Sequence, residues 1–401
     1  MKIMNLKKII FIIIWLLSTP IFASSILLIS IDGYRHDYNE IYSPPFLRSF
    51  EKGAARVKSL IPSFPTKTYP NHLSLVTGRY PMNHGIVSNH FYEPEIKRIY
   101  KLKDRSSVKD PRFYKAPPIW NLVEQNGLKS APYFWPGSET PINGIRPTYW
   151  EEYNHNATHE EKITKVAKYL FLPKEKRPVF TTLYFHDVDT AGHKFGPKSE
   201  EVRDAIMKVD QSLKKLAEKL KTIRSDLNII IVSDHGMTSV SPTKVVSLNN
   251  PQTKKFLGPF TAVGGGTIIH LYTTEKVNLE RTVEKLNKYS KGYTCHLGKS
   301  IPKKLNYRGM AAIGNLVCLA DKGDSIFMNK RDFAKLGAHG YTTEGNKDMH
   351  GILFAKGPSF KEVELPSKRN IHLYPLMAKI LGLKFDHKID GRLSELAELL
   401  K

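Results

Sequence analysis

Four short apolar runs stand out along the chain. Ser25 to Ile31 ends at Asp32-Gly33, Val179 to Phe185 leads into His186-Asp187-Val188-Asp189, and Asn228 to Ser233 leads into Asp234-His235-Gly236. The fourth, Gly351 to Ala355, lies late in the chain. Their length and polar boundaries predict buried strands. Between them apolar residues recur at helical spacing, most clearly Val202, Ile206, Val209, Leu213, Leu216 and Leu220 on one stripe. Strands alternating with amphipathic helices predict an α/β fold with a mostly parallel central sheet flanked by helices. The stretch from about 241 to 335 is less regular, with Gly264-Gly265-Gly266 before another strand, and predicts a smaller inserted lobe.

The first residues follow a different pattern. Lys2, Lys7 and Lys8 precede an unbroken apolar run from Ile9 to Leu17, Ser18-Thr19-Pro20 breaks it, and Ala23-Ser24 offers a cleavage point. This predicts a signal peptide over 1–23, export to a periplasm or the medium, and a catalytic domain over 24–401. The competing reading is a retained anchor, but the run is short against the ~20 apolar residues that a bilayer span needs.

Composition narrows the picture further. Hydrophobic residues make up 41% and charged residues 25% of 401 residues, which fits a folded domain and excludes a disordered tail. A formal charge of +23 favours anionic partners. The lysines and arginines are scattered, however, and no nucleic-acid-binding motif occurs, so the charge predicts a soluble basic surface that steers a small anionic substrate. Cys295 and Cys318 are the two cysteines, either one disulfide or two buried thiols. Two are too few for a disulfide-dense module or for a zinc site built on cysteines.

Acids and histidines cluster where ligands gather in such a fold, outside the carboxyl ends of the strands. Asp32 by itself could equally close a turn. Asp234-His235 sits at a second strand end, Asp189 and His193 in DTAGH have metal-ligand spacing with Gly192 reading as a turn, and His339 is followed by Gly340. Three Asp and three His form the nitrogen and oxygen set that catalytic zinc prefers. Six side chains exceed the three protein ligands of one catalytic zinc, so two ions about 4 Å apart fit better, an arrangement suited to phosphoryl transfer. Thr68 opens a helix that stops by Gly78. Alone it reads as an N-cap; beside a metal set, its hydroxyl reads as an activated nucleophile at an anion-binding helix end.

The segments IDGYR, PTKTYPNHLSLVTGRYPMNHGIVSNHFY, YFWPGSETPINGIRP, DTAGHKFGP, SDHGM and AHGY with DMHGILFAKGP, in that order from Asp32 to Pro358, resemble the nucleotide pyrophosphatase/phosphodiesterase family of the alkaline phosphatase superfamily. The resemblance implies an alkaline-phosphatase-like fold. It implies one zinc ion on Asp32, Thr68, Asp234 and His235, and a second on Asp189, His193 and His339. Thr68 would attack phosphorus to form a covalent threonyl intermediate, which water then hydrolyses. Asn89 would donate its amide to a phosphate oxygen, while Tyr69 and Tyr153, with Tyr149 as the alternative to Tyr153, would flank a base. Lys67, His72, His84 and His350 lie inside these motifs and read as structural. The competing substrate class is a choline or glycerol phosphodiester, for which Glu151 and Glu152 would face the head group. A phosphomonoesterase comes next, a sulfatase lacks its Cys-x-Pro-x-Arg segment, and a silent basic binding protein would not need the complete ligand set.

Overall fold

The computed structural model describes residues 24–220, 226–329 and 334–401, so the expected signal peptide lies outside the described residues. The chain begins with β1 (Ser25–Ile31), β2 (Ala55–Val57), β3 (Ser130–Pro132), β4 (Phe180–Phe185) and β5 (Leu227–Val232). It continues through β6 (Thr261–Gly264), β7 (Ile268–Tyr272), β8 (Tyr293–Leu297) and β9 (Leu316–Ala320), then closes with β10 (Leu353–Lys356) and β11 (Val363–Leu365). The helices that matter for the site are α1 (Thr68–Thr77), α2 (His159–Leu170), α3 (Asp187–Phe195), α4 (Glu200–Leu220), α5 (Leu279–Lys288) and α6 (Leu373–Ile380).

The central sheet has the order β11-β2-β10-β5-β1-β4-β3. It is mixed: β1 runs parallel to β4 and β5, as β3 does to β4 and β11 to β2, while β10 runs antiparallel to β5 and β2. Side chains alternate across a strand. Ile26 and Leu28 of β1 therefore join Leu73 and Val76 of α1 and Leu376 and Met377 of α6 on one face. Leu27, Ile29 and Ile31 meet Ile163 and Val166 of α2 and the Val202-to-Leu220 stripe of α4 on the other. Cover on both faces explains why these strands read as unbroken apolar runs.

Register then does the positioning. Ile31 pairs with Phe185 and Ser30 with Val232, so the carboxyl ends of β1, β4 and β5 finish level. Asp32, the start of α3 and Asp234 all follow at that edge.

The second sheet has the order β6-β7-β9-β8 with antiparallel pairing throughout. Ile268, Val317 and Leu319 on one face belong to the same core as β1 and α1. Ile269, Leu271 and Leu316 on the other pack with Leu286 of α5. Cys295 and Cys318 stand directly opposite each other on β8 and β9 and form a disulfide, which decides between the two cysteine readings. Among the described residues no helix is long and apolar enough to cross a membrane.

Candidate active site

Thr68 is the first residue of α1, but it is not the cap. Lys67 holds the cap position in extended conformation, without a side-chain capping bond. The N-cap reading of Thr68 is therefore corrected: its hydroxyl points elsewhere, with Oγ1 3.3 Å from Nε2 of His235. At the other end Gly78 adopts φ 65° and its N–H closes the last turn on the Ser74 carbonyl. A Cβ there would also meet the Tyr374 Cβ at 2.9 Å and its ring at 3.2 Å, so the stop signal has a packing reason as well.

The DTAGH segment is also corrected, from a glycine turn to part of α3. Asp189 and His193 stand at i and i+4 and so share a helix face. Gly192 lies inside that helix because a side chain there would press on Met237 at 3.1 Å. His339 follows the short strand Gly337–Ala338, which pairs with Thr238–Ser239 just beyond His235.

The six acids and histidines come together in two groups: Asp32, Asp234 and His235, all buried, and Asp189, His193 and His339. Within the first, His235 Nε2 lies 3.0 Å from Asp234 Oδ2 and 3.4 Å from Asp32 Oδ1. Within the second, Asp189 Oδ1 lies 3.6 Å from His193 Nε2 and 3.5 Å from His339 Nε2, and the two histidine nitrogens are 3.1 Å apart. The His235 and His339 rings stack at 3.6 Å, which sets the groups side by side.

Two of the carboxylates and all three imidazoles are held at their far side and open toward their group. Tyr184 donates its hydroxyl to Asp32 Oδ2 at 2.6 Å, and the Gly33 N–H donates to Asp234 Oδ1 at 3.2 Å. Asp32 Oδ1, Asp234 Oδ2 and Asp189 Oδ1 are buried without a hydrogen bond to described residues. All three histidines donate Nδ1–H to backbone carbonyls, His193 to Gly337 and His339 to Thr66 at 2.7 Å, and His235 to Gly236 at 2.9 Å. Their Nε2 lone pairs are thereby turned inward.

Lone pairs facing one another at these distances repel unless a cation lies between them. Burial, then His235, His193 and Lys67, keep His339 well below the ordinary histidine range, and burial lowers His193 too, which disfavours a proton in that gap. In the first group burial, with Asp234 and Asp189, raises Asp32. Burial lowers His235, but the Asp234 carboxylate outweighs it and holds the imidazole above its usual range. Both groups therefore call for positive charge. Tetrahedral ligands at about 2.0–2.1 Å from an ion would stand about 3.3–3.4 Å apart. The separations of 3.0–3.6 Å fit such an ion in each group.

Around this centre, Asn89 accepts the Tyr69 backbone N–H through Oδ1 at 3.0 Å, which turns its amide NH2 outward as a donor. It lines a cavity of about 220 Å³ with Lys67, His90 and Gly265. Lys67, read as structural from sequence, is pushed down to about 7 by burial and then by Lys335, with Asp189 opposing. Tyr69 is only 8% exposed and meets Tyr100 edge-on, so it offers less ring face than expected. Tyr153 is half-buried beside Tyr184, the residue that holds Asp32, whereas Tyr149 stacks on Tyr169 with its hydroxyl on the Lys176 carbonyl. Glu151 pairs with Lys165 and Glu152 with Lys109. Tyr184 escaped the sequence reading because nothing in its type or spacing sets it apart within an apolar strand.

Residues 26–342 match the family described as type I phosphodiesterase/nucleotide pyrophosphatase. Venom phosphodiesterase 2 of Crotalus adamanteus is 35% identical over 90% of this chain and 46% of its own length. Human ectonucleotide pyrophosphatase/phosphodiesterase family member 1 is 34% identical over 89% and 40%. The chain thus spans less than half the length of these curated relatives. Among solved structures, murine ectonucleotide pyrophosphatase/phosphodiesterase 5, an inactive threonine-to-alanine variant in complex with AMP, matches with a TM-score of 0.87 and 28% identity, covering 94% of this chain and all of that one. The human counterpart gives a TM-score of 0.87 at 30% identity, covering 94% and 99%. The fold is alkaline-phosphatase-like, and the chain belongs to the type I phosphodiesterase/nucleotide pyrophosphatase family.

Proposed function

We propose that residues 24–401 form an exported, two-zinc phosphodiesterase that hydrolyses phosphodiester or pyrophosphate bonds of nucleotides through a phosphothreonine at Thr68. The observation that carries this reading is the Thr68 hydroxyl at a helix N-terminus, 3.3 Å from His235 Nε2 and beside buried, undonated carboxylate oxygens. Asp32, Thr68, Asp234 and His235 would hold one ion, and Asp189, His193 and His339 the other. A nitrogen and oxygen donor set without thiolate suits zinc. Bound there, the ions would lower the hydroxyl pKa of the nucleophile and offset the charge of the reacting phosphate.

Thr68 Oγ1, giving up its proton to solvent, would form a bond to phosphorus as the bond to the leaving oxygen breaks and that oxygen takes a proton from water, and the Asn89 amide would donate to a non-bridging oxygen. Water would then attack phosphorus from the side the leaving group vacated, returning the oxygen of Thr68 and releasing the phosphorylated product. The family assignment supports this, as does the inactive threonine variant solved with AMP in the murine relative. Relatives named as venom or ecto-enzymes support export.

For the substrate, Tyr153 beside Tyr184 supports a base-stacking face, worth about 1–3 kcal/mol. A choline head would need a free carboxylate, and Glu151 and Glu152 are tied to lysines. The test is kcat/KM for a dinucleotide against a choline phosphodiester after chelation and zinc restoration, repeated in Tyr153→Ala. Zinc should restore turnover, the dinucleotide should be preferred, and the substitution should erode that preference about tenfold. Full activity without bound metal, or a faster choline ester, would sink the reading.

A further inference from the structure

His72 lies one turn into α1 from Thr68 and is completely buried, and the proposed reaction gives it no task. Its Nδ1 is 2.9 Å from the Thr68 carbonyl oxygen, which can only accept, so this nitrogen carries the proton. Its Nε2 is 2.8 Å from the Ser30 hydroxyl near the end of β1 and receives that hydroxyl's hydrogen. The same Nδ1–H stands 3.4 Å from Asp234 Oδ2, the inward-facing oxygen left without a hydrogen bond among the described residues. Trp135 and Tyr184 meet the ring edge-on at 4.8 and 5.3 Å, and Trp135 donates its indole N–H to the His72 carbonyl.

A histidine that only filled space would need neither nitrogen in register with the site. Here one imidazole touches the backbone of the proposed nucleophile, a carboxylate of the first acid–histidine group, and the strand that delivers Asp32. We infer that His72 is a positioning residue: with the Thr68 carbonyl fixing its tautomer and Ser30 holding its other nitrogen, it sets the Thr68 backbone and the Asp234 carboxylate relative to each other. This rests on the reading of Asp32, Thr68, Asp234 and His235 as a metal site. Partners of ligating groups typically change metal affinity by about 10–100-fold when removed.

The two nitrogens permit a test that mere packing would not register. His72→Asn can place an amide N–H near Nδ1, whereas His72→Gln places its amide near Nε2. Zinc affinities would be measured by competition with a chromogenic chelator, alongside kcat and KM for a dinucleotide. His72→Gln should weaken one of two ions about 10–100-fold and lower kcat with KM unchanged. His72→Asn should recover most of both, and the ion assigned to Asp189, His193 and His339 should be unaffected in either. Ser30→Ala removes one hydroxyl and should weaken the same ion to a smaller degree; if His72→Gln does not fold, this variant decides. A parent chain holding two ions, with affinities unaltered in the folded variants, would overturn this inference alone. A parent chain holding none would overturn the metal reading and this inference together.

Discussion

Replacing Asn89 should separate catalysis from stability, because its side chain has two ends with different duties. Oδ1 accepts the Tyr69 N–H at 3.0 Å and so satisfies one of the free donors at the start of α1. The amide NH2 is then left for a phosphate oxygen. Asn89→Ala removes both. Loss of a preorganised donor to developing negative charge costs about 10²–10³ in kcat, or roughly 3–4 kcal/mol. Loss of the acceptor at the helix start costs about 1 kcal/mol of stability, the scale of a removed N-cap. Asn89→Asp splits the pair. Its carboxylate still accepts from Tyr69 and gains a little from the positive end of the helix, about 0.3–1 kcal/mol. The same carboxylate turns a donor into an anion facing the phosphate. Stability by denaturant titration should therefore fall in Asn89→Ala and return in Asn89→Asp, while kcat for a dinucleotide falls in both and further in the second. Parent-like kcat in Asn89→Asp would refute the donor role outright. So would a loss in Asn89→Ala no greater than threefold.

Three further outcomes follow from the geometry. Thr68→Ala should abolish nearly all turnover yet shift stability by no more than about 0.5 kcal/mol, because Thr68 follows the cap and makes no capping bond; a folded, metal-loaded variant with parent-like turnover would end the nucleophile assignment. Replacing Cys295 and Cys318 with alanine should cost about 3 kcal/mol in a denaturant titration, the loop-closure value for a separation of 23 residues, while leaving kcat/KM intact because the bridge lies on the α5 side of the second sheet. A phosphodiester should be hydrolysed faster than a monoester with the same leaving group, a comparison of initial rates that fails if the monoester is faster.

The parts of the site carried by strand ends were legible in the sequence, because an apolar run that stops at an acid announces both the strand and its edge. Asp32 and Asp234-His235 belong to this class. DTAGH was harder. Glycine inside a helix is locally unfavourable, so Gly192 reads as a turn, and only the approach of Met237 explains its place in α3. Thr68 likewise carried the most frequent signal of a helix cap, and the conformation of Lys67 overrode it. The cysteine pairing depended on the register of β8 against β9, which sequence separation does not fix. Glu151 and Glu152 looked available for a cationic head group until Lys165 and Lys109 were seen to engage them. In each case the deciding contact comes from residues distant in sequence, where local propensity carries no information.

The predicted diester preference rests on a charge argument. Asp32, Asp189 and Asp234 bring three negative charges, and three histidines that donate Nδ1–H while presenting Nε2 bring none. Two divalent ions would leave the assembly at +1 while Thr68 keeps its proton, and at zero once that hydroxyl is ionised for attack. A phosphodiester adds one negative charge in either state and a monoester dianion two, so the monoester leaves a largely buried site one charge more negative, where charge imbalance is costly. Asn89 adds a donor without adding charge. Lys67 lines the cavity with Asn89, yet burial and then Lys335 push it down to about 7, and bound cations would lower it further. If Asn89 holds the proposed place at the phosphate, its neutral amide would favour the monoanion where a permanent cation would favour the dianion.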